Sequence, residues 1–192
     1  MLYDLLREKK KDILSAWMER ILNTYPADAA RFMRNQGNQF ANPVGSTYGR
    51  TTEIIFDALI EDRHDEKLLQ ALDQLLEIRA VQDFTPSQAL AILFLIKPVI
   101  HNILPTVTKK TELIPEIEEM DNRIDGIALL GFDRYSLCRD KIHHIKLNEV
   151  KRSVGHFMER FGADIIVEEP KNDEVFKMAV NDKKRPKGGS DR

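Results

Sequence analysis

The chain has 192 residues, 42% of them hydrophobic and 31% charged, with a formal net charge of -2. That length buries one good core and leaves two full domains cramped, and the near balance of charge gives no overall pull toward nucleic acid or anionic lipid. The single cysteine, Cys138, excludes an intramolecular disulfide and any paired-cysteine zinc or redox motif, and it fits a reducing, cytoplasmic setting.

The amino terminus carries Asp4, Arg7, Glu8 and three lysines from Lys9 to Lys11 among its leucines, so it lacks the apolar core of a signal peptide. Leu2, Leu5, Leu6, Ile13, Trp17 and Ile21 recur near a 3.6-residue period and predict an amphipathic helix over residues 1–23. Pro26 follows its end, and Ala27–Arg34 adds a short helical stretch. Residues 35–42 are polar with Gly37 and read as a loop, in which Phe40 is the one large apolar side chain. Asn42-Pro43 then predicts a helix start, because an Asn side chain accepts orphan amide hydrogens and Pro suits the first helical position. Val44, Tyr48, Ile55 and Leu59 continue one face. Gly45 and Gly49, with Thr52 and Phe56, form a small-residue strip that another helix can approach closely.

Glu66–Val81 reads as a further amphipathic helix, with Leu68, Leu69, Leu72, Leu75 and Leu76 inward and Asp73, Glu77 and Arg79 outward. Asp83 closes it. Thr85-Pro86-Ser87-Gln88 is a capping-box signature. The longest apolar run, residues 89–96, ends at Lys97 and Pro98, far short of the roughly 20 residues that span a bilayer. It predicts a central buried helix reaching about Leu104, kinked at Pro98, and no membrane association.

Pro115, Glu116, Glu118 and Glu119 open the last helical region, the acids suiting the positive end of a helix dipole. Unbroken from Glu116 to Phe161 it would measure about 69 Å, so part of it must project or bend, with Gly126 and Gly131 marking the places. Ile117, Met120, Ile124 and Ile127 form a first apolar stripe. Leu147, Val150, Val154, Phe157 and Phe161 form a second at heptad spacing, which suits a homodimer or a protein partner. The expected organisation is a helical domain over residues 1–162 and a short extension over 163–192. Residues 164–180 offer one short ordered element, and the basic stretch 181–192 reads as a disordered tail.

The segment Arg31-Phe32 through Phe40-Ala41-Asn42-Pro43-Val44-Gly45 resembles a pattern in the amino-terminal domain of RsbRD-type RsbT co-antagonists, which are bacterial stress-signalling proteins. The likeness extends over the helical order from the first helix to about Phe161. It implies an input module whose long terminal helix carries its state to an output domain, commonly an anti-sigma-antagonist (STAS) domain. About thirty residues follow Phe161, fewer than the roughly 50 an independent domain needs, so a stand-alone input domain is expected. The family's kinase partner and phosphorylated threonines belong to the output module and are not carried over.

Several residue groups carry candidate chemistry. Phe40, Asn42, Pro43, Gly45 and Tyr48 form a candidate site for an unidentified small ligand, since a helix amino terminus offers free amide hydrogens to an anionic group. Capping and close packing explain Asn42, Pro43 and Gly45 equally well. Glu61 with His64, and Asp140 with His143, stand three apart as in di-iron bundles, which also require inward glutamates from two further helices; none stands out, and no metal site is assigned. Some stress-sensor domains are globin-like, which raises His101 or His143 as a haem ligand, but the spacing singles out neither, and no cofactor is expected. No nucleophile elbow, Cys/His arrangement or phosphate loop occurs, so no catalytic residue is assigned.

The fold class expected is all-α: a bundle of five to seven helices, a globin-like arrangement being one form, with a long C-terminal helix. The function expected is a non-catalytic sensory or regulatory domain of bacterial signal transduction. It binds a small ligand or a protein partner and transmits through its long terminal helix. The rival readings are an assembly protein without a ligand and a metal- or haem-binding redox bundle.

Overall fold

The computed structural model describes residues 2–34, 42–82, 84–103 and 110–161. Phe40, Asp83, the side chain of Phe161 and the extension over 163–192 lie outside the described residues. Eight helical segments follow in order: α1 (Leu2–Glu8), α2 (Lys10–Leu22), α3 (Ala27–Arg34), α4 (Pro43–Glu61), α5 (Glu66–Val81), α6 (Pro86–Phe94), α7 (Ile96–Ile103) and α8 (Lys110–Phe161). No strand occurs among the described residues. The first two segments form one rod, because Lys9 N–H donates to the Leu5 carbonyl at 2.9 Å and Ile13 N–H to the Lys9 carbonyl at 3.0 Å. Counted by rods there are seven among the described residues, and the all-α class with a long last helix is the one the sequence predicts.

The helix starts obey local chemistry. Asn42 caps α4 by accepting from Gly45 N–H at 2.9 Å, with Pro43 in the first position. Thr85 and Gln88 form the reciprocal capping box of α6. Asp65 caps α5, accepting from Leu68 N–H at 3.0 Å, and that bond holds its carboxyl below the usual range.

The chain divides into two compact units, Met1–Lys146 and Leu147–Arg192. The core of the first is built from Leu2, Leu6, Ile13, Trp17 and Ile21, from Tyr48, Ile55 and Phe56 of α4, and from Leu68, Leu72, Leu75 and Leu76 of α5. Ala89, Ile92, Leu93, Ile96, Val99 and Ile100 of α6 and α7 complete it with Leu113, Ile117, Met120, Ile124, Ile127, Ala128 and Tyr135 of α8. Pro86–Ile103, 18 residues of mean hydropathy 1.2, is long and apolar enough by composition to cross a membrane. In the fold it is instead interrupted at Leu95 and packed into this core, and the Trp17 indole donates to the Ile92 carbonyl at 2.8 Å.

Two expectations are corrected. The kink assigned to Pro98 becomes a break at Leu95: Pro98 is the third residue of α7, where its missing N–H and its clash with the carbonyl four residues back fall on the junction. The last helix begins at Lys110 rather than at the Pro115 region, and runs 52 residues, about 78 Å, with Pro115 inside it. Helical structure continues through Gly126 and Gly131. Gly131 also serves a close approach, since a Cβ there would stand 2.8 Å from Leu93 Cδ1 and 3.4 Å from Leu90 Cδ2.

Candidate functional site

The candidate segment at the start of α4 is built around Asn42, which is 2% exposed. Its side-chain oxygen caps α4, while its amide donates to the Met33 carbonyl at 2.8 Å and, more weakly, to the Phe32 carbonyl at 3.4 Å. One residue thus satisfies the open carbonyls at the end of α3 and an open amide at the start of α4. Gly45 lets the two ends meet: a Cβ would stand 2.5 Å from the Met33 carbonyl oxygen and would overlap the Asn42 amide. A Cβ at Gly49, by contrast, would make only ordinary contact with Met18 Cε at 3.8 Å. Pro43 is exposed and Val44 half-buried.

Tyr48 points to a different place, a polar cage inside the apolar core. Arg79, expected on the solvent side of α5, is 0% exposed. The reason is positional, since residue 79 lies seven beyond Leu72 and four beyond Leu75 and so falls on their buried face. Its guanidinium carbon lies 4.2 Å from the centre of the Phe84 ring, 4.6 Å from Tyr25 and 5.9 Å from Tyr48. Nη2 donates to Thr24 Oγ1 at 2.7 Å, and that hydroxyl donates to the Ile21 carbonyl at 2.6 Å. Among the described residues, Nε and Nη1 have no acceptor.

Over the guanidinium the Tyr25 and Tyr48 hydroxyls meet at 2.5 Å, and Tyr25 donates to Gln82 Oε1 at 2.8 Å, which leaves Tyr48 as donor to Tyr25. Burial pushes the Tyr48 hydroxyl far above the ordinary tyrosine range, against the opposing pull of the Arg79 charge, and it raises Tyr25 as well. Beside Gln82 opens a cleft of about 330 Å³ lined by Val44, Glu77, Ile78, Val81 and Gln82. A second cleft, of about 470 Å³, lies between α2 and α4 along Met18, Leu22, Gly49 and Thr52, and carries Glu19, Glu53 and Arg34.

The cage touches α8. Phe84, whose ring lies on Arg79, accepts the Tyr135 hydroxyl on its carbonyl at 2.6 Å, and Tyr135 is 1% exposed. Further along, Arg134 grips Asp73 of α5 through both carboxylate oxygens, Nε at 2.6 Å. Lys97 pairs with Asp125 at 2.7 Å. His101 stands 3.2 Å from Asp121 at the bundle edge.

The remaining candidates are apart from this cage. Glu61 is exposed and pairs with Arg63; His64, Asp140 and His143 are exposed. No group of three metal-ligating side chains forms among the described residues. In the second unit, α8 exposes Leu147 by 42%, Val150 by 60%, Val154 by 46% and Phe157 by 61%. Phe40 and the Phe161 side chain fall outside the described residues. Of the candidate ligand residues, then, Asn42 and Gly45 meet at one clamp, Tyr48 sits in the cage, and Val44 from the same helix start lines the cleft beside it. Sequence reading missed Arg79, Tyr25, Gln82 and Phe84. The signal for Arg79 was its register on the buried face of α5.

The sequence model of the RsbT co-antagonist protein rsbRD N-terminal domain matches residues 11–150, and the chain belongs to that family. It is thereby a sensory domain of bacterial stress signalling, a regulatory pathway of protein partners. No curated protein and no solved structure matches the chain.

Proposed function

We propose that this domain is a non-catalytic, cytoplasmic input module that binds a small ligand or protein partner near the start of α4 and passes its state along α8. A homodimer formed on the Leu147, Val150, Val154, Phe157 and Phe161 stripe receives that state. The observation that carries the reading is a single helix with two faces of work. Between Leu113 and Tyr135 one face of α8 is buried in the core, and from Leu147 the helix presents an apolar heptad pattern to solvent. A ligand moves α8 only through unequal affinity for two arrangements of the bundle, and the Phe84–Tyr135 hydrogen bond ties the cage to that helix.

Light scattering after size exclusion tests the dimer. The chain should run as a dimer, and the pair Val154→Glu and Phe157→Glu should make it monomeric with its helical circular-dichroism signal retained, because both positions lie outside the core. A monomeric wild type, or a dimer that survives both charges, refutes the assignment of the stripe.

A further inference from the structure

Arg79 is a fully buried cation with three N–H hydrogens, one on Nε and two on Nη1, that meet no acceptor among the described residues. Among the described residues its contacts are three aromatic rings and one threonine hydroxyl, and no carboxylate. Aromatic faces attract a guanidinium but do not satisfy its hydrogens, and a buried charge without a counter-ion is costly. A native core retains such an arrangement where something else completes it.

We propose that Arg79 is an internal receptor for a small flat oxyanion, a carboxylate, bicarbonate or nitrate, reached from the Gln82 cleft when the Tyr25–Gln82 hydrogen bond opens. Trigonal oxyanions match the planar donor array of a guanidinium. The route is short: Gln82 lines the cleft and holds Tyr25, and Tyr25 sits between α2 and α3 among the exposed residues Asn23, Thr24 and Pro26. The Tyr48 hydroxyl, released from Tyr25, becomes a donor to the incoming oxygens. Glu77 in the cleft disfavours multiply charged ions, which selects for one charge. Phe84 moves with the guanidinium it covers and carries the change to Tyr135 on α8. The inference rests on the input-module reading and supplies its ligand class.

The test uses the intact chain and the ¹H–¹⁵N resonance of the Arg79 Nε–H group, identified by its loss in Arg79→Lys. Formate, bicarbonate and nitrate are titrated separately at constant ionic strength against chloride, so the arms separate carboxylates from inorganic anions. At least one should give a saturable shift and a melting temperature that rises with its concentration. Tyr25→Phe, which loses both hydroxyl bonds of the latch, should tighten binding roughly ten- to thirtyfold by raising the open fraction. Glu77→Gln should tighten it too. An Nε–H resonance unmoved by all three anions to about 0.1 M, in wild type and Tyr25→Phe alike, overturns the proposal and leaves a resident water as the acceptor. That failure leaves the dimer and the α8 coupling, which are measured separately, untouched.

Discussion

Gly45→Ala tests whether the start of α4 is a clamp, and its cost follows from the atoms around it. The new methyl would lie 2.5 Å from the Met33 carbonyl oxygen, a backbone atom that cannot rotate away, and would overlap the Asn42 side chain. Relief requires α3 and α4 to part, which breaks the Asn42 amide bond to Met33 and strains the cap on Gly45 N–H. Losing a cap costs about 1 kcal/mol, and leaving a buried polar group unsatisfied about 1–3 kcal/mol. Alanine returns about 1 kcal/mol of helix propensity. The net loss is about 2 kcal/mol, or roughly 4–8 °C in melting temperature for a chain of this size. Gly126→Ala is the matched control: nothing lies within 4 Å of its added methyl, so the same change should stabilise by about 0.5–1 kcal/mol. Circular-dichroism melts of the two variants decide the matter. Equal effects of the same sign would refute the clamp.

Tyr48 should ionise after Tyr3 and Tyr25 in an ultraviolet titration, because burial raises its pKa furthest of the three. A raised folded-state pKa contributes stability that is complete below the unfolded tyrosine value near pH 10 and is lost as pH climbs through the folded value, so Tyr48→Phe should flatten the alkaline fall in stability. Tyr48 ionising with the others would contradict the cage. Tyr135→Phe removes the hydroxyl that Phe84's carbonyl accepts and should cost about 1–2 kcal/mol in denaturant unfolding; no loss would show that the bond does not hold α8.

Much of the fold could be read before it was seen, where the signal was local. Asn42-Pro43 and the Thr85–Gln88 box mark helix starts through bonds spanning three residues, and leucine periodicity delimits Glu66–Val81. What could not be read depended on the tertiary surroundings. Arg79 looked outward because of its charge, although its register placed it among leucines, and only the rings of Tyr25, Tyr48 and Phe84, brought from three other parts of the chain, give that charge a buried place. The break at Leu95 needed the Pro98 ring to be weighed against a carbonyl four residues earlier. Pro115 lies inside α8 as its sixth residue, where its missing donor removes one bond near the start of a 52-residue helix without ending it. The site was legible in part: Tyr48 was named, yet Tyr25 and Phe84, which complete the cage, belong to loops that carry no periodic signal.

The central claim is that the bundle's interior sets the arrangement of the two copies through α8. Spin labels on a cysteine placed at Glu149, in a Cys138→Ser background, report the distance between copies in the dimer. The account predicts a distance distribution that shifts when Tyr135→Phe cuts the link from Phe84 to α8; a distribution identical in the two proteins, or no dipolar signal between copies, would contradict it.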